Sequence, residues 1–212
     1  MFKHLIIVLA FVFSLCTDFH AQSLSGNLND CSNVGVERGQ FFGWKGIGGE
    51  WDAAGDTIHI LTEQEGLDSS RHRIRHFGMG RLPEILTEEI PFVPQGSDYA
   101  IQLGNSRNGH QYERLVTSFL VDSSNSLFQY RFAVIFEDPD HTPAEQPKFE
   151  VQVMDQTGST IPCGFYQVTS GGNIPGFKSD GSIRYRNWTT AAVDLRSYIG
   201  QTITIRISTY DC

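Results

Sequence analysis

Apolar and polar residues alternate over several short segments after residue 55, which is the pattern of β-strands with one buried face. Residues 202–208 (TITIRIS) are the clearest case, because Ile203, Ile205 and Ile207 share one face and polar side chains share the other. Residues 127–137 (LFQYRFAVIFE) and 149–153 alternate in the same way. Weaker strands are predicted at residues 58–62, 99–103, 115–121, 161–168 and 188–195.

Clusters of Gly, Ser, Asn and Asp separate these segments and predict turns. The spacing of strands and turns predicts an all-β fold with very little helix, a jelly-roll-like antiparallel β-sandwich of two sheets. Residues 84–90, bracketed by Pro83 and Pro91, are the one helical candidate and would make two turns.

The amino terminus has the three regions of a secretory signal peptide. Lys3 marks a short basic region, residues 5–15 (LIIVLAFVFSL) form an apolar stretch too short to span a bilayer, and Ala21-Gln22 is a cleavage site. We therefore expect a signal peptide over residues 1–22 and a single domain over 23–212. A lipoprotein anchored through Cys16 is less favoured, since Leu15 stands where a small residue is expected.

Charge and hydropathy narrow the possible partners. The formal net charge is −8 over 212 residues, which argues against nucleic acid as a partner. No second hydrophobic run follows the leader, so no membrane span is expected in the mature chain. These features favour a secreted or cell-surface protein.

Catalytic motifs are not evident. Glu137, Asp138, Asp140 and His141 are close in sequence, but Pro139 interrupts the alternation that would point acidic groups the same way, so we interpret them as a polar loop. The basic run at residues 71–76 (RHRIRH) is interpreted as a solvated strand or loop. We predict a non-catalytic protein, with a glycoside hydrolase-related jelly roll as the less favoured alternative.

Three cysteines remain once Cys16 leaves with the leader: Cys31, Cys163 and Cys212. Export permits disulfides, and an odd number leaves one thiol unpaired. That thiol is either a free cysteine, or its partner lies beyond this sequence.

Residues 31–44 (CSNVGVERGQFFGW) combine an acidic residue, glycines and a Trp. This segment resembles the opening of jelly-roll modules related to carbohydrate-binding modules. The resemblance extends to the N-terminal domain of secreted or surface proteins of Bacteroidetes-type bacteria, which carry PKD repeats and a gliding-motility or type IX secretion C-terminal domain. The further segments that carry it are residues 91–96, 99–105, 113–115, 133–141, 145–149, 161–164, 188–190 and 209–212.

Several expectations come from this resemblance. It implies a glycan-binding or adhesive module with a structural calcium (Ca2+), for which Glu37 and Asp211 would be ligands. It also implies a Cys163–Cys212 disulfide and a domain truncated at its C-terminal end, with further domains downstream. A structural spacer in a larger surface protein is the alternative function.

A glycan site needs aromatic platforms beside hydrogen-bonding side chains. Trp51, Tyr112 and Tyr185 lie in stretches that read as loops, so we predict them as platforms, with Arg131 and Arg184 as hydrogen-bond donors. The expected partner is a polysaccharide or a cell-surface glycan.

Overall fold

The computed structural model describes most of the chain. The described residues are 5–11, 33–36, 38–53, 56–65, 71–82, 87–105, 109–137, 142–171 and 174–211.

Twelve strands form within these residues, together with one turn of 3-10 helix at Arg196–Tyr198. The strands are β1 (Leu5–Phe11), β2 (Lys45–Asp52), β3 (Thr57–Glu65), β4 (His72–His76), β5 (Tyr99–Leu103), β6 (Gln111–Leu120), β7 (Leu127–Glu137), β8 (Lys148–Met154), β9 (Thr160–Thr169), β10 (Lys178–Asp180), β11 (Ile183–Asp194) and β12 (Thr202–Tyr210).

The strands form two sheets that pack face to face as a sandwich. Sheet A has the order β10-β11-β7-β1-β5-β4, and sheet B has the order β3-β2-β6-β12-β8-β9. Neighbouring strands pair antiparallel throughout the described ladders. The all-β sandwich predicted from the alternation is therefore confirmed.

The core lies between the two sheets, where the alternation placed it. Ile203, Ile205 and Ile207 of β12 are fully buried, and so is Phe132 of β7 apart from 2% of its surface. Burying an aliphatic or aromatic side chain of this size contributes about 1.5–3 kcal/mol. The strongest sequence pattern thus marks the central strand of sheet B.

β2 and β4 were not predicted as regular strands. β2 (KGIGGEWD) is rich in glycine, and Gly49 lies so close to β3 that a Cβ atom there would be 2.5 Å from the carbonyl oxygen of His59. β4, from the basic run, is an edge strand in which His72 is buried and Arg75 donates a hydrogen bond to Gln102. Both segments are therefore structural parts of the sheets.

The predicted helix at residues 84–90 is not supported. Residues 87–90 are bends and extended chain, while residues 83–86 lie outside the described part. Ile90 is fully buried against sheet A. Burial of the segment on a sheet takes precedence over its weak helical propensity. Among the described residues, no helix is long and apolar enough to cross a membrane.

β1 lies within the predicted leader. Leu5–Phe11 pairs with β7 on one side and with β5 on the other, so it is an interior strand of sheet A. Removal of the leader remains a prediction, and it would open sheet A at this position.

Candidate functional site

Three aromatic side chains meet on the outer face of sheet B. Gly49 pairs with Tyr112 across β2 and β6, and Tyr112 pairs with Tyr210 across β6 and β12. Paired residues share a face and alternate residues return to it, so Trp51 lies on the same side as Gly49. The ring centroids of Trp51 and Tyr210 are 5.3 Å apart, and those of Tyr112 and Tyr210 are 5.0 Å apart. We call Trp51, Tyr112 and Tyr210 the aromatic cluster.

Two cations cover the aromatic cluster. The ammonium nitrogen of Lys148 lies 4.0 Å from the ring centre of Trp51 and 4.7 Å from that of Tyr210. The guanidinium of Arg114 lies 5.1 Å from the ring centre of Tyr112 and donates a hydrogen bond of 2.9 Å to the Ser208 hydroxyl. Contacts of this kind stabilise by about 0.5–2 kcal/mol. They also cover the ring faces, so these rings are not open stacking platforms.

Burial changes the titration of two tyrosines in the cluster. Desolvation raises the pKa of Tyr210 to about 12, with the Glu150 carboxylate adding to the rise. Desolvation also raises the pKa of Tyr112, although Arg114 opposes it. Both phenols are therefore neutral at physiological pH.

A small open groove lies next to the aromatic cluster, where β2 ends. Its volume is about 220 Å³, and its lining residues are Glu50, Trp51, Asp52, His59 and His110. The four polar residues are exposed, whereas Trp51 is only 2% exposed. Two carboxylates and two imidazoles thus line the groove together with a buried indole. We call this feature the β2 groove.

Backbone pairing holds the β2 groove in shape. Glu50 pairs directly with His59 on β3, and the register of these two strands shifts between Gly48 and Gly49. The backbone N–H of Trp51 donates a 2.8 Å hydrogen bond to the carbonyl of His110. A register shift of this type re-aims side chains near the edge of a sheet.

The indole N–H of Trp51 is buried and has no hydrogen-bond acceptor among the described residues. A buried donor without a partner costs about 1–3 kcal/mol. A bound ligand or a water molecule in the groove would supply the acceptor that this indole N–H lacks.

The structure brings two of the five predicted ligand-binding residues to the same part of sheet B. Trp51 and Tyr112 do lie close together, but in strands β2 and β6 rather than in loops, and Tyr112 is fully buried. Trp51 and Tyr112 were predicted to lie in loops because the glycines of β2 and the polar residues before β6 obscure the alternation of apolar and polar positions. Sequence reasoning also missed Tyr210 and the groove residues His59 and His110.

The other three predicted residues belong to sheet A. Tyr185 is 2% exposed, and its hydroxyl donates a 3.3 Å hydrogen bond to the carboxylate of Glu88. Arg131 donates to the carbonyl of Gln95, and Arg184 donates to that of Gly181. These three side chains therefore have structural partners and do not join the site on sheet B.

Buried polar groups link the two sheets at the end where β12 finishes. The Arg71 guanidinium lies 3.4 Å from the fully buried carboxylate of Glu113, which accepts a 2.7 Å hydrogen bond from the Thr209 hydroxyl. Arg71 also donates to the carbonyl of Gly49 at 2.8 Å, below the aromatic cluster. This network fixes β2, β6 and β12 relative to one another.

Of the two predicted calcium ligands, only Asp211 lies among the described residues. Asp211 is 7% exposed and lies beside Gln111 at the start of β6. Glu37 lies outside the described residues, so the pair stays a prediction. In the described part of the chain, no three His, Cys, Asp or Glu side chains group as metal ligands.

The predicted disulfide receives no support from the described residues. Cys163 is a free, exposed cysteine, and Cys212 lies outside the described part. The Cys163–Cys212 disulfide therefore stays a prediction.

The acidic segment after β7 is mostly outside the described residues, which include Glu137 but not residues 138–141. Glu137 is 7% exposed, and one of its oxygens accepts a long 3.5 Å hydrogen bond from Ser182. A catalytic pair across a cleft is not among the arrangements that the described residues show.

Comparison with protein-family models gives no match. Comparison with curated proteins and with solved structures gives none either. The chain is an all-β sandwich protein, and the β2 groove is its candidate site.

Proposed function

We propose that the protein is a secreted or cell-surface, non-catalytic binding module that recognises a polysaccharide or a cell-surface glycan through the β2 groove. The observation that supports this best is the composition of the groove, which Glu50, Asp52, His59 and His110 line together with Trp51. The apolar leader supports export, and the family resemblance supports an adhesive role.

The chemistry of the groove suits a sugar. Carboxylates accept hydrogen bonds from hydroxyl groups, and neutral imidazoles both donate and accept them. Trp51 is only 2% exposed, so these polar side chains rather than a stacking surface would hold the sugar. The groove volume of about 220 Å³ is below the range of about 300–1,000 Å³ for drug-sized ligands. It therefore suits one sugar unit, such as the end of a chain.

Calcium is not needed for this proposal. The ion takes six to eight oxygen ligands, and the described residues supply no grouped set of three candidate ligands. Glu37, one of the two ligands that the resemblance implies, lies outside the described residues, so calcium binding stays a separate prediction. A glycan array probed once with calcium and once with a chelator distinguishes calcium-dependent binding from binding by the groove alone. Binding by the groove alone should persist in the chelator.

The test uses the full chain, residues 1–212, on a glycan array, followed by affinity measurement on each glycan that binds. Glu50→Gln replaces a charged carboxylate acceptor of the groove by a neutral amide, and His110→Ala removes an imidazole. A hydrogen bond to a charged group is worth about 1.5–3 kcal/mol, so each variant should bind roughly 10- to 100-fold more weakly.

Glu89→Gln is the matched control. Glu89 is exposed and pairs with Arg81 in the segment that covers sheet A, away from the groove. Its variant should bind like the original chain. Failure to bind any glycan, with and without calcium, would contradict the proposed function, as would binding that both groove variants leave unchanged.

A further inference from the structure

Three basic side chains lie on the outer face of sheet B, beside the aromatic cluster. Tyr210, Ser208 and Arg206 alternate along β12 and therefore share this face. Arg114 of β6 pairs with Ser208, so it is a diagonal neighbour of Arg206, and such side chains lie about 7–8 Å apart. Lys148 of β8 pairs with Tyr210 and belongs to the same face. We call Arg114, Lys148 and Arg206 the cationic surface.

The charge of the cationic surface is opposite to that of the whole molecule. The chain has a formal net charge of −8. On the outer face of β6, β8 and β12, the only carboxylate among the described residues is that of Glu150, which pairs with Ser208. Three cations and one carboxylate leave a local net charge of +2 on these strands. An anion is therefore attracted to the middle of sheet B although the chain as a whole is acidic.

Two of the three cations have hydrogen-bond donors that the protein does not use. Within the described ranges, the side chains of Lys148 and Arg206 form no salt bridge and no hydrogen bond. Arg114 donates one hydrogen bond, from Nε to the Ser208 hydroxyl. Arg206 is half-buried, so part of its guanidinium has lost contact with water. An oxyanion of a ligand would supply the missing acceptors by charge-assisted hydrogen bonds.

The cationic surface adjoins the β2 groove through Trp51. This indole lines the groove, and the ammonium nitrogen of Lys148 lies 4.0 Å from its ring centre. A chain that starts in the groove and continues over sheet B meets Lys148 first. Arg206 pairs with Gln152, which is four residues from Lys148 along β8, a separation of about 13 Å. That length suits successive units of a polymer rather than one small anion.

We propose that the ligand of the β2 groove is an acidic glycan, a polysaccharide whose carboxylate or sulfate groups bind the cationic surface. This inference rests on the proposed glycan binding and names its substrate class. The sugar unit in the groove is neutral, because Glu50 and Asp52 repel an anion there. The acidic groups belong to the units that follow. Arg114 and Arg206 bind them through paired N–H groups, which match the geometry of such oxyanions.

Charge complementarity favours this ligand over a neutral glycan and over other polyanions. Charge-assisted hydrogen bonds are about twice as strong as those between neutral groups, so an acidic unit gains more from the cationic surface than a hydroxyl does. A polyanion without a neutral end, such as nucleic acid, is repelled by the carboxylates of the groove and by the net charge of −8. An acidic glycan with a neutral end fits both surfaces.

Matched pairs of oligosaccharides test the proposal on the full chain. The two members of a pair share one backbone and one neutral terminal unit. They differ in the units that follow, where a carboxylate replaces a hydroxymethyl group or a sulfate ester replaces a hydroxyl. The acidic member of at least one pair should bind roughly 10-fold more tightly at low salt, and added salt should reduce the difference. The two kinds of pair distinguish carboxylate from sulfate.

Variants show whether the cationic surface is the cause. Arg206→Gln and Lys148→Gln each remove one cation and should reduce the preference for the acidic member by roughly 10-fold. Arg196→Gln is the matched control, because it also removes one positive charge. Arg196 pairs with Asp194 in the 3-10 turn before β12 begins, whereas the groove lies beside the other end of that strand. This control should keep the preference of the original chain.

Three results would overturn the proposal and leave the proposed glycan binding in place. The first is equal affinity for the acidic and neutral members of every pair. The second is a preference that Arg206→Gln and Lys148→Gln both leave unchanged. The third is equally tight binding of a poly-glutamate peptide, which carries carboxylates without sugar and would show a general polyanion site. Binding of no oligosaccharide at all would instead contradict the proposed function itself.

Discussion

The rings of Trp51 and Tyr210 meet edge to face, with an interplanar angle of 74° and ring centroids 5.3 Å apart. This contact joins β2 to β12 across the intervening strand β6, and the ammonium group of Lys148 lies over both rings. Trp51 also lines the β2 groove. The same indole therefore connects the groove to the centre of sheet B, so the groove rests on a rigid base.

The buried phenols should make stability depend on pH in the alkaline range. Burial raises the pKa of both Tyr130 and Tyr210 from 10 to about 12. A group whose folded pKa is raised stabilises the fold fully below its unfolded pKa and loses that contribution as pH rises through the folded value. The contribution of these two phenols to the free energy of unfolding should therefore be constant up to about pH 10. It should decrease between pH 10 and 12.

Denaturant unfolding across this range measures the effect. Two pKa units correspond to about 3 kcal/mol for each phenol. Tyr130→Phe and Tyr210→Phe remove the ionisable groups, so each variant should show a smaller alkaline loss than the original chain. An alkaline slope that neither variant reduces would mean that other groups are responsible.

The Arg71–Glu113 pair should be sensitive to the loss of one partner. Arg71→Met leaves the fully buried Glu113 carboxylate without its guanidinium, 3.4 Å away. Breaking a buried pair in this way costs about 3–5 kcal/mol. Equilibrium unfolding of Arg71→Met, Glu113→Gln and the double variant gives the coupling energy. The double variant should be more stable than the sum of the single losses predicts, and strict additivity would show that the pair does not interact.

Gly49 should tolerate no side chain. A Cβ atom at this position would lie 2.5 Å from the His59 carbonyl oxygen, which is backbone and cannot turn away. Gly49→Ala should therefore cost about 1–3 kcal/mol by overpacking and should distort the β2 groove. Gly48→Ala is the control, because its nearest contacts are side-chain atoms of Arg71 and Thr62 at 3.0 Å. Equal unfolding free energies for the two variants would contradict the close approach of β2 and β3.

The sequence predicted the core better than the site. β5 and β7 were predicted with the bounds that the structure has. Burial alternates over the first half of β7, whereas both faces are buried from Phe132 onward. Ile203, Ile205 and Ile207 are buried as predicted. Periodicity is a local property, so a single segment carries enough information to show it.

The site depends on contacts between distant segments, which local patterns do not contain. Trp51 and Tyr210 are far apart in sequence and meet only because β2, β6 and β12 are neighbours in sheet B. The aromatic residues chosen as exposed platforms are buried in strands. A neighbouring ring and a cation cover Trp51 and Tyr112, whereas Tyr185 packs in the apolar cluster on sheet A. Tyr210 had one available signal, as it continues the alternation of β12 on the face opposite Ile207.

The central claim is that ligand enters the β2 groove beside Trp51, and the indole N–H resonances of the full chain test it most directly. The chain has three Trp residues: Trp51 at the groove, Trp44 in the core, and Trp188, which donates to the Pro91 carbonyl on sheet A. On addition of a glycan selected by the array, the Trp51 resonance should shift while those of Trp44 and Trp188 stay in place. A shift of the Trp188 resonance with that of Trp51 unchanged would contradict the account and move the binding site to sheet A.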